Sequence, residues 1–385
     1  MGVSETNFAL NLSYGGKYIQ DTGNSTDQLD AFYMQYMCNG IALPIISVLG
    51  VIGNILTMMV LWRKEMQSTT ILFLCALVVT DTGIIIVACV ALTPYSISLF
   101  HPELWYYKDV IYPNLYTGVF FLIMSIQQCN VWITVSVSVE RYIAICHPFR
   151  AQKICTRKKT YITLIVITVT SIAYNIPRLF ATMARTPCTD PGPEVPAGHD
   201  CFLLLTTEFG ENFFYTKVYS VWMYASIIYI IPLSVLTVLN ILIIMELMRM
   251  RARRAGMNIQ DDQEANLSLV LVLIVVVFIL CQTPGLFAQF DFLFNTVMMI
   301  KWLAVSNILF VANSSVNFLI YTLVGQKFRR VLLGVLKNLF GRKVLSDVSR
   351  NSSRQSNGLE LNHRQYAPVN SETHVDNLEK VRLND

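Results

Sequence analysis

Seven apolar stretches succeed one another along the chain, at Ile41–Trp62, Ile71–Leu92, Tyr116–Ile145, Tyr161–Phe180, Val218–Leu247, Leu267–Phe290 and Trp302–Leu323. Each approaches or exceeds the ~20 residues a helix needs to cross the hydrocarbon of a bilayer. The pattern predicts an all-α membrane protein, a seven-transmembrane helix bundle. Polar positions inside the spans are ordered. In the third, Gln127, Asn130, Thr134, Ser138 and Arg141 recur at steps of three and four and form one stripe on one helix face. In the seventh, Asn313, Asn317 and Tyr321 repeat the arrangement. Such helices belong at the centre of a bundle. Hydrogen bonds between helices in a membrane contribute only about 0.6 kcal/mol each, so stripes that end in Arg141 and Tyr321 exceed what adhesion requires.

Outside the spans the pattern divides the chain into an N-terminal tail (1–39), the helical bundle (40–325), a juxtamembrane segment (326–340) and a polar tail (341–385). In the juxtamembrane segment Phe328, Leu332, Val335, Leu336 and Leu339 recur at helical spacing beside Lys327, Arg329, Arg330 and Lys337. That composition predicts an amphipathic helix lying on the inner lipid leaflet.

Composition agrees with a polytopic membrane protein: of 385 residues 54% are hydrophobic and only 14% charged. The net charge of +4 says less than its distribution. Arg63 and Lys64, then Arg150 through Lys159, then Arg249 through Arg254, then Lys327 through Arg330 follow alternate spans. The intervening long connections carry Asp21, Asp27 and Asp30, then Asp190, Asp200, Glu208 and Glu211. Basic ends stay inside, so the N-terminus is expected outside and the C-terminus in the cytoplasm, with the protein in the plasma membrane. The first 39 residues contain no signal-peptide core, so the first span is expected to direct insertion. Asn11 and Asn24 open glycosylation sequons on the outer side. Cys38, Cys188 and Cys201 also lie outside; three is odd, and Cys188–Cys201 is the preferred disulfide.

Polar groups retained in hydrocarbon carry function more often than soluble-core logic allows. Asp81 is the only charge in the second span, and Asn130, Asn313, Ser314 and Asn317 offer it ligands from other spans. Together they are expected to form a cation site, with sodium as an allosteric ion and no other cofactor. At the cytoplasmic end Arg141 follows Glu140 directly and is expected to reach Glu264 as well. An Arg held by carboxylates of two helices closes that face, and its release opens a crevice. Pro232 and Pro284 remove backbone hydrogen bonds within the fifth and sixth spans and give both a place to bend.

Gly53-Asn54, Leu77 through Asp81, Glu140-Arg141-Tyr142, Pro232, Pro284 and Asn317 through Tyr321 place a marker on nearly every span. From about Gly40 to Phe340 the chain resembles the rhodopsin-like (class A) G-protein-coupled receptors. Three departures are similar to the invertebrate FMRFamide-type neuropeptide receptors. Gln282 in Cys281-Gln282-Thr283-Pro284 replaces the usual Trp switch, Phe318 replaces the usual Pro, and the fourth span ends Tyr174-Asn175-Ile176-Pro177-Arg178-Leu179-Phe180 without its usual Trp. The family's disulfide from the top of the third helix is missing, its position falling on Tyr116, so Cys188–Cys201 is expected to brace the second extracellular loop.

The resemblance implies a receptor for a neuropeptide, with an amidated Arg-Phe peptide as the expected class. A heterotrimeric G protein, arrestin on the phosphorylated tail and membrane lipid are the expected partners; nucleic acid is not one. Glu140, Arg141, Tyr142, Glu264, Gln282, Pro284, Asn317 and Tyr321 are the expected activation switch, with Gln282 hydrogen-bonded to Gln127 or Gln128. The expected pocket has acids at its rim (Glu103, Glu208, Glu211, Asp291) and Gln127, Gln282 and Gln289 on a floor without a free cation. Tyr174, Trp222 and Tyr224 supply its aromatics. An orphan or chemosensory receptor is the alternative reading. A transporter fits poorly, for no internal repeat is visible. An enzyme fits worse, because His101, His147, His199, His363 and His374 all lie in loops, a span end or the tail.

Overall fold

A computed structural model describes residues 25–66, 68–185, 201–253, 260–290, 293–337 and 341, without the side chains of 25, 251–269 and 271. The chain forms two units, Met1–Leu332 and Leu333–Asp385. Among the described residues, the first holds seven long helices. In the second, residues 333–337 are helical.

Helix α1 comprises Ser25–Gln35, a π-helical stretch Tyr36–Ala42 and Leu43–Leu61. It therefore begins well before Ile41, inside the expected 1–39 tail. Hydropathy missed this extension because packing supports it: Ala31 and Gln35 are buried, this part of α1 packs against the last long helix, and Tyr36 meets Phe100 at 5.2 Å. Helix α2 is Thr69–Ser98, opened by Ser68, whose hydroxyl accepts the Ile71 N–H. Helix α3 is Tyr112–Cys146 and α4 is Arg157–Asn175, which tightens into a 3-10 turn at Ile176–Phe180 around Pro177.

Helix α5 starts with wide π-type turns, Phe214–Met223 and Ala225–Ile230, and becomes regular over Ile231–Arg253. The change falls at Pro232, which has no N–H to continue the ladder. Helix α6, Gln260–Phe287, carries Pro284 in its interior. Helix α7 is Thr296–Val324, capped by Asn295 and uninterrupted where Phe318 stands. Six of the seven are long and apolar enough to cross a membrane, and α6 contributes the shorter apolar stretch Val272–Phe287.

Helix α3 is the hub, in contact with α2, α4, α5 and α6, while α7 packs on α1, α2 and α6. The polar stripe explains that position: Gln127, Asn130, Thr134, Ser138 and Arg141 are all buried. An element absent from the all-helical expectation is a hairpin of β1 (Thr182–Arg185) and β2 (Leu203–Thr206), with Thr182 opposite Thr206 and Arg185 opposite Leu203. It braces the long connection between α4 and α5. The hydroxyls of Thr117 and Thr182 meet at 2.9 Å, the Phe202 N–H donates to the Asp109 carbonyl at 2.8 Å, and Leu204 packs with Tyr112, Tyr116 and Phe120. Cys201 is disulfide-bonded. Its expected partner Cys188, like the sequons at Asn11 and Asn24, lies outside the described residues, and Cys38 is free.

Close approach of α1 to α7 depends on glycine. A Cβ at Gly53 would stand 2.9 Å from the Cβ of Phe318. Gly53→Val is expected to destabilise the protein by about 1–3 kcal/mol, the usual range for overpacking. Thermal unfolding in detergent measures this, and Phe318→Ala in the same chain is expected to restore part of the loss. Unchanged stability of the single variant would show that α1 and α7 have room to separate.

Candidate functional site

Three buried layers lie along α3. The middle one is centred on Asp81, which is 1% exposed. Its Oδ1 accepts from Asn130 Nδ2 and its Oδ2 from Asn317 Nδ2, both at 2.7 Å. Asn130 spends its second N–H on Thr80 Oγ1 at 3.0 Å. The carboxylate therefore joins α2, α3 and α7. Of the other expected ligands, Ser314 lies beside Asp81 with its buried hydroxyl toward the carboxylate. Asn313 is buried but makes no hydrogen bond to Asp81, so it stands outside the immediate cluster. Asn54 holds α1 to the same place, donating to the Ser314 carbonyl at 3.3 Å.

The outer layer is a cavity of about 140 Å³ between α2, α3, α5, α6 and α7, close in size to the ~150 Å³ that accommodates one benzene ring. Tyr112, Tyr116, Phe120, Tyr224, Tyr229 and Phe310 line it, with amides from Gln127, Gln282, Gln289 and Asn307. Gln127 Oε1 accepts from the Tyr224 hydroxyl at 3.2 Å. Gln128 Oε1 instead accepts from Asn175 Nδ2 at 3.0 Å. The expected bond from Gln282 to either glutamine is not formed: its Nε2 has no hydrogen-bond partner. Gln289 turns back on its own helix, donating to the Gly285 carbonyl at 3.5 Å.

Several expected pocket residues stand elsewhere. Trp222 is 60% exposed and meets Phe290 edge-on, facing away from the cavity. Tyr174 lies behind the wall, its ring tilted against that of Tyr219 with centres 5.0 Å apart. Hydropathy gives depth in the membrane but not the direction in which a side chain points, which accounts for both misplacements. Glu208 and Glu211 sit exposed on a short helix after β2, and Glu103 is exposed beside His101 at 2.9 Å; none of the three lines the cavity. Asp291 lies outside the described residues.

Sequence reasoning missed Arg178, the single charged residue among the described cavity lining, and the floor is therefore not free of cation. Arg178 is 2% exposed. Its guanidinium carbon lies 5.4 Å from the Phe120 ring centre, 5.3 Å from Tyr219 and 5.0 Å from Tyr224, while Nε donates to Asn175 Oδ1 at 2.8 Å. Ring faces attract a cation strongly once water is removed. The signal was present: a lone arginine within an apolar span is costly unless something holds it.

At the C-terminal end of α3, Glu140 and Arg141 are both buried. Here the expectation is corrected in part. The Glu140 carboxylate accepts a hydrogen bond from Thr69 at the start of α2 rather than forming an ion pair with Arg141. Adjacent residues on a helix point about 100° apart, which favours the neighbouring helix as partner. The side chain of Glu264 lies outside the described residues. Tyr142 packs edge-on against His147 and against the α5–α6 cluster of Ile243, Leu247 and Val272. Tyr321 is buried with its ring 5.4 Å from Phe328. The Pro284 carbonyl accepts from Trp302 Nε1 at 2.8 Å, tying the α6 interruption to α7.

Residues 53–321 match the family described as 7 transmembrane receptor (rhodopsin family). Among curated relatives, the chain is 31% identical to the FMRFamide receptor of Drosophila melanogaster, over 86% of this chain and 60% of that protein. It thus spans about three fifths of that relative's length. It is 26% identical to an FMRFamide peptide receptor of Caenorhabditis elegans, over 77% of this chain and 68% of the other. It is 27% identical to the mouse neuromedin-U receptor 2, over 81% of this chain and 80% of that one.

The Asp81 cluster generates a stability test. Asp81→Ala leaves the buried amides of Asn130 and Asn317 without their acceptor, at about 1–3 kcal/mol for each orphaned group. Asp81→Asn keeps an acceptor and is expected to lose less. Thermal unfolding of the purified receptor ranks the three proteins, and an Asp81→Ala variant as stable as the wild type would show that the carboxylate does not hold the helices.

Proposed function

The chain belongs to the rhodopsin family of seven-transmembrane receptors, and on that footing we propose that it is a neuropeptide receptor activating a heterotrimeric G protein. An amidated Arg-Phe-type peptide is the ligand class, in keeping with the FMRFamide receptors among its relatives. The observation that carries the reading is the continuity of α3. One helix supplies the cavity floor (Gln127), the polar core (Asn130) and the cytoplasmic pair Glu140-Arg141. A ligand that shifts α3 or its partners changes all three layers at once, which is what conformational signalling requires.

In this reading the cavity takes the peptide's terminal aromatic ring, and the exposed Glu208 and Glu211 meet its guanidinium at the mouth. A negative rim also speeds capture of a cationic ligand. Arg141 serves the G protein after release from the closed state, with Tyr142, Glu264, Pro284, Asn317 and Tyr321 as the moving parts and Glu140 held on α2 through Thr69. The N-terminus, glycosylated at Asn11 and Asn24, faces outward, and Cys188 is the partner of Cys201. The basic juxtamembrane segment rests on lipid, and the phosphorylated tail recruits arrestin. The protein works in the plasma membrane as a receptor and not as an enzyme.

Sodium fits the Asp81 cluster by donor chemistry. The carboxylate oxygens and the adjacent Ser314 hydroxyl are hard oxygen ligands, and the asparagines hold the carboxylate in place. A bound cation there favours one arrangement of α2, α3 and α7 over another. It supplies charge compensation alone.

Amidated Arg-Phe peptides applied to cells expressing the receptor are expected to drive nucleotide exchange on a G protein. Arg141→Ala is expected to abolish that response while leaving peptide binding largely intact. Normal signalling from this variant at wild-type surface level would remove Arg141 from the coupling machinery. Charge reversal at Glu208 or Glu211 is expected to lower peptide potency by about tenfold, equivalent to about 1.4 kcal/mol. Sodium, at constant ionic strength, is expected to weaken agonist binding in the wild type and not in Asp81→Asn. A flat sodium response of the wild type would dismiss the ion site.

A further inference from the structure

Gln282 lies two residues before Pro284 in α6, is 3% exposed and lines the cavity. Its Nε2 has no hydrogen-bond partner. The Gln127 and Gln128 carbonyls of α3 accept from Tyr224 and Asn175 instead. Ser306 and Tyr112, which also line the cavity, each bury a hydroxyl without a partner. A buried amide N–H facing a cavity without a protein acceptor calls for an acceptor brought by the ligand.

Charge in the cavity narrows the ligand group further. The described lining contains no carboxylate, and its one charge, Arg178, is positive. A guanidinium entering there would lose its hydration without gaining a counter-charge. A neutral group that carries a carbonyl oxygen beside an aromatic ring meets both the donors and the ring-lined walls.

We propose that Gln282 is a ligand contact, donating its Nε2–H to the carbonyl oxygen of a terminal aromatic carboxamide, and that the ligand's guanidinium stays outside the cavity. This rests on the peptide-receptor reading and assigns the end of the peptide that enters. It also gives Gln282 a different part from a switch exchanging bonds within the protein. The ligand completes the hydrogen bonding of α6 next to its proline interruption, where Trp302 of α7 holds the Pro284 carbonyl at 2.8 Å. Occupancy of the cavity is thereby coupled to the place where α6 is able to bend.

The test uses the full-length, epitope-tagged receptor at measured surface level and three probes sharing one sequence. Phe-Met-Arg-Phe amide carries the carbonyl and the amide N–H groups. Its methyl ester keeps the carbonyl alone, and Phe-Met-Arg phenethylamide keeps the ring but has no terminal carbonyl. On the wild type, amide and ester are expected to be similar in potency and the phenethylamide at least tenfold weaker. Gln282→Met, apolar and of similar length, is expected to bring amide and ester down to the phenethylamide's potency while leaving the phenethylamide unchanged. A variant that weakens all three equally, or none, overturns the contact. So does a wild type that reads amide and phenethylamide alike, although the peptide-receptor reading then stands. Silence of a well-expressed wild type toward all three removes that reading, and the contact with it.

Discussion

A membrane interior offers no water to a polar group, so each polar group placed there must find its partner within the protein. The Asp81 carboxylate is where this constraint acts hardest. It meets the amides of Asn130 and Asn317 at 2.7 Å and so pins α2, α3 and α7 to a common point. The α3 stripe then runs outward to Gln127 and inward to Arg141, both buried. Neighbouring helices are arranged around that line because their own polar groups need it. Asn54 reaches the backbone of α7, Asn175 reaches Gln128, and Tyr224 reaches Gln127.

Apolar packing has a different part. Lipid tails are as apolar as leucine, so burial alone gives the helices little reason to associate. Close fit does that work where the residues are small, as at Gly50 and Gly53, which let α1 lie against Phe318 and Ser315 of α7. Phe318 in place of proline leaves α7 regular over Thr296–Val324 and turns a site of bending into a site of contact. Flexibility is left to α5 and α6, where Pro232 borders π-type turns and Pro284 interrupts the ladder.

The outer cavity is held open by unlike means on its two sides. Toward α4 and α5, the Arg178 guanidinium is enclosed by Phe120, Tyr219 and Tyr224, which makes the wall stiff. Toward the loop, β1 and β2 lean on α3 through Thr117 and Leu204, and Phe202 reaches the Asp109 carbonyl just before α3. Toward α6 and α7, Gln282 and Ser306 keep hydrogen-bonding capacity in reserve. The rigid wall sets shape, and the unsatisfied one sets what the shape accepts.

Periodicity by itself determined the seven spans, the interior face of α3 and the buried asparagines of α7, because hydrocarbon tolerates polar side chains only on faces turned away from it. It placed Asp81, Asn130 and Asn317 in one cluster for the same reason. What it did not contain were distances and directions across helices. Trp222 and Tyr174 sat at plausible depths yet point away from the cavity, and Arg178, passed over as one letter in an apolar run, faces into it. The start of α1 at Ser25 follows from packing on α7, which no local hydropathy records. Glu140 turned to Thr69, Gln127 and Gln128 to Tyr224 and Asn175, and the Gln282 Nε2 was left without a partner. Competition among donors for a few buried acceptors is settled only in three dimensions, since each bond depends on which helices stand next to one another.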